Sequence, residues 1–424
     1  MILAIFGIFG VMTLLGAPIA IALLGGALGP MLIYGNIPPT VIAQRFYNSI
    51  NMYALMAIPF FVISGGLLDK GGVSSRLVNL ANSLVGWLPG GLAVVSFFAC
   101  AFFGSISGVS SATVVAIGSI MVPAMIRAGY PKNFALTTVA SGGWLGIVIP
   151  PSTPMVIYGI STGTSIGDMF IGGIIPGFAL AMGMSIYGIA FGFRHLPKPK
   201  PFSIREVFIS FKEALLALVM PLIVLGGIYA GVFTPTEAAA IAVLYGFIVG
   251  IFIYKELDAK TIYSVFRSAV ITSAVVMFIV GGASVFGYLM TRAQIPGQIA
   301  AFVLDIANTP QMFMAMTVLL FLIVGTFMET TPAILILAPI LSPLLPKYGI
   351  SPVFFGVIFV ITMGIGMLTP PVGMNLYVAA GLMNEKVDII INRHLWAYIL
   401  CAVLVLAVLI VFPEIVLLLP NMMK

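Results

Sequence analysis

Apolar runs of roughly 20 residues, each long enough for one membrane-crossing helix, fill most of the chain, and short polar stretches separate them. One pattern of breaks within these runs occurs twice. FGSISGVSSATVVAIGSIMVP is followed by WLGIVIPPSTPMVIYG, and VGTFMETTPAILILAPILSP by MGIGMLTPPVGMNLYVA. Pro150 stands 46 residues after Gly104, and Pro370 stands 45 after Gly325. Each copy joins a small, hydroxyl-bearing break in one apolar run to a Pro-Pro break in a later one.

The remaining elements follow in order. Residues 2–35 exceed one upright helix, and Gly16-Ala17-Pro18 divides them into either one kinked helix or two short ones. A polar stretch over 36–51 precedes an apolar run over 52–68. Residues 74–88 carry leucines on one side and Ser, Arg and Asn on the other, which predicts a helix lying in the interface. The halves of 91–127 are short for a crossing and meet at a Gly/Ser tip, which predicts a re-entrant hairpin. A span over 133–162, broken at Pro150-Pro151, and an ordinary span over 169–193 complete a first repeat, residues 1–193. A basic linker over 194–212 holds Arg194, Lys198, Lys200, Arg205 and Lys212. The second repeat, 213–424, contains spans at 214–232, 236–254 and 268–290. A second hairpin at 311–345, a broken span at 352–383 and a final helix at 395–418 follow.

Composition supports this reading. With 61% hydrophobic and 7% charged residues in 424, the chain has more apolar surface than a water-soluble core could enclose. Strand alternation is absent, so the expected class is an all-α polytopic membrane protein. The net charge of +6 comes without a basic, aromatic-interleaved patch, so nucleic acid is excluded as a partner. Two cysteines, both in apolar runs, give no disulfide framework. The first 15 residues lack a basic n-region, which predicts a retained segment and not a cleaved signal peptide. With the linker placed in the cytoplasm, 14 of the 18 basic residues fall on that side, leaving Arg45, Arg292, Lys347 and Lys424 outside. The two hairpins then open to opposite sides, as inverted repeats do.

Helix breaks expose unpaired N–H groups at one end and carbonyls at the other, costing several kcal/mol each in hydrocarbon unless something binds there. Carbonyl ends suit a cation and N–H ends an anion. The first candidate cation site sets Gly104, Ser105, Ser107 and Gly108 against Gly146, Val148 and Pro150. The second sets Gly325, Thr326 and Met328 against Gly366, Thr369 and Pro370. Oxygen ligands without a carboxylate fit Na⁺ better than Ca²⁺ or Mg²⁺. The restarted half-helices put Ser152, Thr153 and Asn375 where a substrate carboxylate could lie. Gly/Ser breaks can also serve only for close helix packing, but two copies at matched spacing argue for more. Glu329, at the second tip, is either an exposed loop acid or a functional one. Arg292 is either a snorkelling anchor or the counter-charge to an anionic substrate or to Glu329. His195 and His394 read as interface residues, and Gly163-Thr164-Ser165-Ile166-Gly167 as a chance match to the serine-nucleophile pattern. No phosphate-binding loop for ATP is present, and no catalytic residue is expected.

GSISGVSSATVVAIGSIMVPAM, AGYPKNFALTTVASGGWLGIVIPPSTPMVIYG and LTPPVGMNLYVA resemble the large membrane subunit, the DctM-type or M subunit, of tripartite ATP-independent periplasmic (TRAP) transporters. The resemblance covers essentially the whole chain, and its run is similar to the sialic acid branch. It implies an ion-transporter-superfamily fold with an elevator mechanism, in the bacterial inner membrane. It further implies Na⁺-coupled symport of an organic acid, sialic acid being favoured. The implied partners are a separate small four-helix membrane subunit and a soluble periplasmic substrate-binding protein. The resemblance carries sodium to the two break pairs, and substrate to Ser107, Ser152, Thr153, Arg292 and Glu329. The competing expectations are a stand-alone Na⁺/C4-dicarboxylate carrier, an intramembrane hydrolase using Ser107 or Ser165, and a purely structural subunit.

Overall fold

Lipid offers a backbone no hydrogen-bonding partner, so an apolar chain must pair its amides within helices. In a computed structural model that describes residues 2–34, 38–196 and 201–423, every regular element is helical. Among the described residues, ten helices are long and apolar enough to cross a membrane, and the protein is a multi-pass membrane protein. Polar residues set where these helices begin. Ser203 accepts from the Glu206 amide, and Thr234 and Glu237 form a reciprocal capping box. The Thr261 amide and side chain hydrogen bond Asp258, which holds this carboxyl below the usual carboxylate range.

Several boundaries differ from the sequence expectation. Residues 2–34 form two helices, Ile2–Leu14 and Ile19–Tyr34, that turn at Gly16 (φ 81°) and pack on each other. Part of the expected polar stretch is an amphipathic helix, Pro39–Ile50, lying against the long helix Ala259–Arg292. That long helix exceeds the expected 268–290 and takes in Lys260 and Arg267. The basic linker is shorter than expected, because Arg205 and Lys212 belong to helix Ile204–Tyr229. Lys198 and Lys200 of the linker, Asn36 and Lys424 lie outside the described residues. The final helix is two, Arg393–Val411 and Glu414–Met422, because Pro413 has no N–H to continue the ladder.

Two copies of one element order form the centre. The first is a helical hairpin, Gly91–Ser107 and Ser110–Arg127, followed by a broken span of Lys132–Gly143, Leu145–Val148 and Thr153–Thr162. The second is a hairpin, Pro310–Phe327 and Thr330–Leu341, followed by a broken span of Pro352–Gly366 and Met374–Gly381. Both Pro-Pro bonds are cis. The copies interlock crosswise. The half-helix after each Pro-Pro break packs on the outer arm of the other copy's hairpin, Thr153–Thr162 on Thr330–Leu341 and Met374–Gly381 on Ser110–Arg127. The arms of the first hairpin lie together, whereas those of the second touch little, because its outer arm is drawn to Thr153–Thr162 and the long helix.

The unbroken halves of the two spans meet at Trp144 and Gly364. The indole is fully buried, and only hydrogen fits at position 364, since a Cβ there would sit 3.0 Å from Trp144 Cδ2 and closer still to Cε3. Gly364→Ala therefore forces a rigid ring to move in a packed core, at a cost of about 1–3 kcal/mol. A lowered thermal unfolding midpoint in detergent is the expected result. Gly381→Ala, where a Cβ meets nothing within 4 Å, serves as the neutral comparison.

Candidate functional site

At each break the chain is nearly helical up to the last residue, so the gaps are narrower than the sequence suggests. Gly104 and Ser105 lie in the last turn of Gly91–Ser107, and Gly325 and Thr326 in the last turn of Pro310–Phe327. The unwound residues are Gly108-Val109, Ile149 to Ser152, Met328-Glu329 and Met367 to Gly373.

Glycine pairs bring hairpin and broken span into backbone contact. A Cβ on Gly104 would lie 2.5 Å from Gly146 Cα, and one on Gly366 would lie 2.6 Å from Gly325 Cα. Both junctions are thus built on a hairpin glycine set against a broken-span glycine. This approach lets the broken spans bond to the hairpin tips. The Thr153 N–H donates to the Gly108 carbonyl (3.3 Å), and the Gly373 N–H to the Thr326 carbonyl (3.1 Å). Each bond satisfies one amide that its own span has released.

The hydroxyls at these junctions spend their protons locally. Ser105 Oγ donates to Phe102 O (2.6 Å), Thr326 Oγ1 to Ile323 O (2.7 Å) and Thr369 Oγ1 to Ile365 O (3.0 Å). Ser107 shares a hydrogen bond with Thr113 Oγ1 (3.2 Å), which itself donates to Val109 O. A hydroxyl whose proton points at a carbonyl presents its lone pairs outward, toward a cation. Among the described residues, no group of three or more His, Cys, Asp or Glu could hold a metal, so oxygen ligation at the breaks would rest on hydroxyls and carbonyls.

The candidate substrate residues divide. Ser152 is fully buried and committed to capping: its Oγ donates to Ile147 O (2.5 Å) and accepts from the Met155 amide. Thr153 Oγ1 and Asn375 Nδ2 are buried and have no hydrogen-bond partner among the described residues. Asn375 Oδ1 accepts from Ser110 Oγ (2.9 Å), which ties the second broken span to the first hairpin. Ser107 lines a cavity of about 500 Å³ between the first hairpin, helix Ala57–Lys70 and the first half of the long helix. Glu329 is half-buried; its carbonyl accepts from the Ala333 amide (3.4 Å), but its carboxylate forms no hydrogen bond or ion pair among the described residues. Among these residues no ion pair joins Arg292 to Glu329, one of the two partners that the counter-charge alternative allowed. Nor does Arg292 join Ser107. It closes the long helix, 27 residues beyond Val265 beside the first tip, or about 40 Å along the axis. Its neighbour Thr291 lines a separate, mainly apolar cavity of about 300 Å³ against Leu335 to Ile340.

Sequence reasoning missed Ser110 and Thr113, the partners that hold Asn375 and Ser107. Their spacing from the Gly108 break, inside the first turn of the next helix, was the available signal.

A family profile described as "Tripartite ATP-independent periplasmic transporter, DctM component" matches residues 6–415. The chain is 42% identical over 386 residues to the isethionate TRAP transporter permease protein DctMQ of Oleidesulfovibrio alaskensis. That match covers 91% of this chain and 61% of the relative's length. It is 37% identical over 439 residues to the C4-dicarboxylate TRAP transporter large permease protein DctM of Rhodobacter capsulatus, covering 99% of each. The fold is similar to that of the YdaH transporter of Alcanivorax borkumensis, with a TM-score of 0.62 at 16% identity and 89% of both chains covered. The doubled breaks at Gly104/Pro150 and Gly325/Pro370 thus lie within the matched region, and the chain belongs to the DctM component family of tripartite ATP-independent periplasmic transporters.

Proposed function

We propose that this chain is the large subunit of a Na⁺-driven symporter that carries an organic acid across the bacterial inner membrane. The observation that carries the reading is the doubled junction: in each copy a hairpin tip and a Pro-Pro break meet at a glycine pair, surrounded by hydroxyl and carbonyl oxygens. Two Na⁺ would be held there as co-transported ions, one by Gly104, Ser105, Ser107 and Gly108 with Gly146, Val148 and Pro150. The other would be held by Gly325, Thr326 and Met328 with Gly366, Thr369 and Pro370. The acid would lie between the junctions, against Ser107 and the free amide and hydroxyl of Asn375 and Thr153, with Glu329 near the second ion.

The charge distribution supports an inverted arrangement of the two copies, with one hairpin opening to each side. The crosswise packing supports joint movement of hairpins and broken spans against the long helix, an elevator motion. Relatives named for isethionate and C4-dicarboxylate support a small organic anion as the substrate class. Sialic acid is the sequence-based choice within it. The partners under this reading are a small membrane subunit and a periplasmic binding protein that delivers the acid.

Proteoliposomes holding this chain and its small partner test the reading, with labelled sialic acid, succinate and isethionate offered in parallel. Uptake of one of them only with binding protein and an inward Na⁺ gradient is expected. Uptake that ignores the Na⁺ gradient would overturn the coupling, and uptake without binding protein would point to the stand-alone carrier. At the second ion, Thr326→Val removes one oxygen while keeping shape. The expected effect is a roughly tenfold rise in the Na⁺ concentration for half-maximal uptake, equivalent to about 1.4 kcal/mol. The maximal rate at saturating Na⁺ should change little.

A further inference from the structure

The cavity beside Ser107 has a second wall that the doubled junction does not explain. Ser264, Ser268 and Thr272 of the long helix line it, opposite Ser107 and Ser111 of the first hairpin. Their i, i+4, i+8 spacing puts all three on one face over about 12 Å. Hydroxyls inside apolar helices ordinarily donate to a carbonyl one turn back, as Ser185, Thr138, Thr291 and Thr362 do here. None of Ser264, Ser268 or Thr272 makes such a bond among the described residues, and all three are exposed to the cavity. Three hydroxyls left unbonded on one side of a cavity this size are available to a polar occupant.

The mouth of the cavity is charged. Asp69 and Lys70 end helix Ala57–Lys70, and Asp69 is held by Ser74 Oγ (2.7 Å) while the Lys70 ammonium, 3.5 Å from Asp69, is mostly exposed. The helix between the two walls is thinned by glycine. A Cβ on Gly65 would sit 2.9 Å from Ser107 Cα, and one on Gly66 would sit 2.8 Å from Val265 Cγ1. The hairpin tip therefore comes close to the hydroxyl face without an intervening side chain.

Resting on the transport reading above, we infer that Ser264, Ser268 and Thr272 form a release station for the transported acid. Their hydroxyls donate to its carboxylate or sulfonate oxygens as it leaves Ser107, and Lys70 draws the anion toward the mouth. These are positioning residues on the stationary wall, distinct from the ion and substrate groups carried by the hairpins. The station would speed release toward the cytoplasm without strengthening capture from outside.

Two measurements test this on the assembled complex. In the S264A/S268A/T272V variant, the maximal uptake rate should fall about fivefold or more, with the external KM falling in proportion so that their ratio is unchanged, and S268T alone close to wild type. In a Cys401→Ser background, S268C should react with a membrane-impermeant thiol reagent from the cytoplasmic face. The acid that the wild type takes up should slow that reaction. Wild-type uptake of none of sialic acid, succinate or isethionate overturns the transport reading itself. Normal wild-type uptake with an unchanged rate in the triple variant overturns only the station, as does S268C labelling that the acid leaves unaffected. If the triple variant unfolds, the S268C protection result decides alone.

Discussion

The structure depends on one constraint: a helix interrupted inside a membrane releases backbone groups that lipid cannot satisfy. Here the interruption in one element is answered by the interruption in another. The Thr153 and Gly373 amides find the Gly108 and Thr326 carbonyls, and the glycine pairs Gly104/Gly146 and Gly325/Gly366 allow the approach. Neither hairpin tip nor broken span could be placed independently, since each supplies what the other lacks. Side chains at these glycines would separate the backbones and leave the released groups exposed to hydrocarbon, at several kcal/mol each.

The same constraint shapes the chemistry available. Charged ligands near the midplane would be costly and would hold an ion tightly. Hydroxyls that donate to their own helix, such as Ser105, Thr326 and Thr369, offer lone pairs without net charge. An ion held only by such oxygens would be released more readily than one held by carboxylates, as a transport cycle needs.

Much of this was legible from sequence, because helix breaks in an apolar run are written in Gly, Ser and Pro-Pro. The all-helical membrane class, the doubled order of break and Pro-Pro break, and the residues around each break followed from period and composition. What was not legible is of two kinds. Helix ends misplaced by a few residues reflect caps whose effect depends on context: Ser203 starts a helix inside what reads as a linker, and Pro413 divides a run of otherwise uniform hydropathy. Long-range geometry was the other kind. Arg292 stands close to the second hairpin in sequence, yet a continuous 34-residue helix carries it far from the first tip. No local pattern shows that Asn375 meets Ser110 across 265 residues.

The crosswise packing decides which parts can move together. Each half-helix beyond a Pro-Pro break is seated on the hairpin of the other copy, so displacing either broken span displaces both hairpins. The buried Trp144–Gly364 contact and the Ser110–Asn375 bond tighten the same unit from within. Against helix Ala57–Lys70 the contact at the first tip is of another kind, with Gly65 under Ser107 and no hydrogen bond from the Ser107 side chain to that helix. A body bound internally by polar and close backbone contacts, and facing its neighbour across glycine and free hydroxyls, has its weakest boundary along that face. Under the proposed elevator motion, movement along that face would carry Ser107 past Ser264, Ser268 and Thr272.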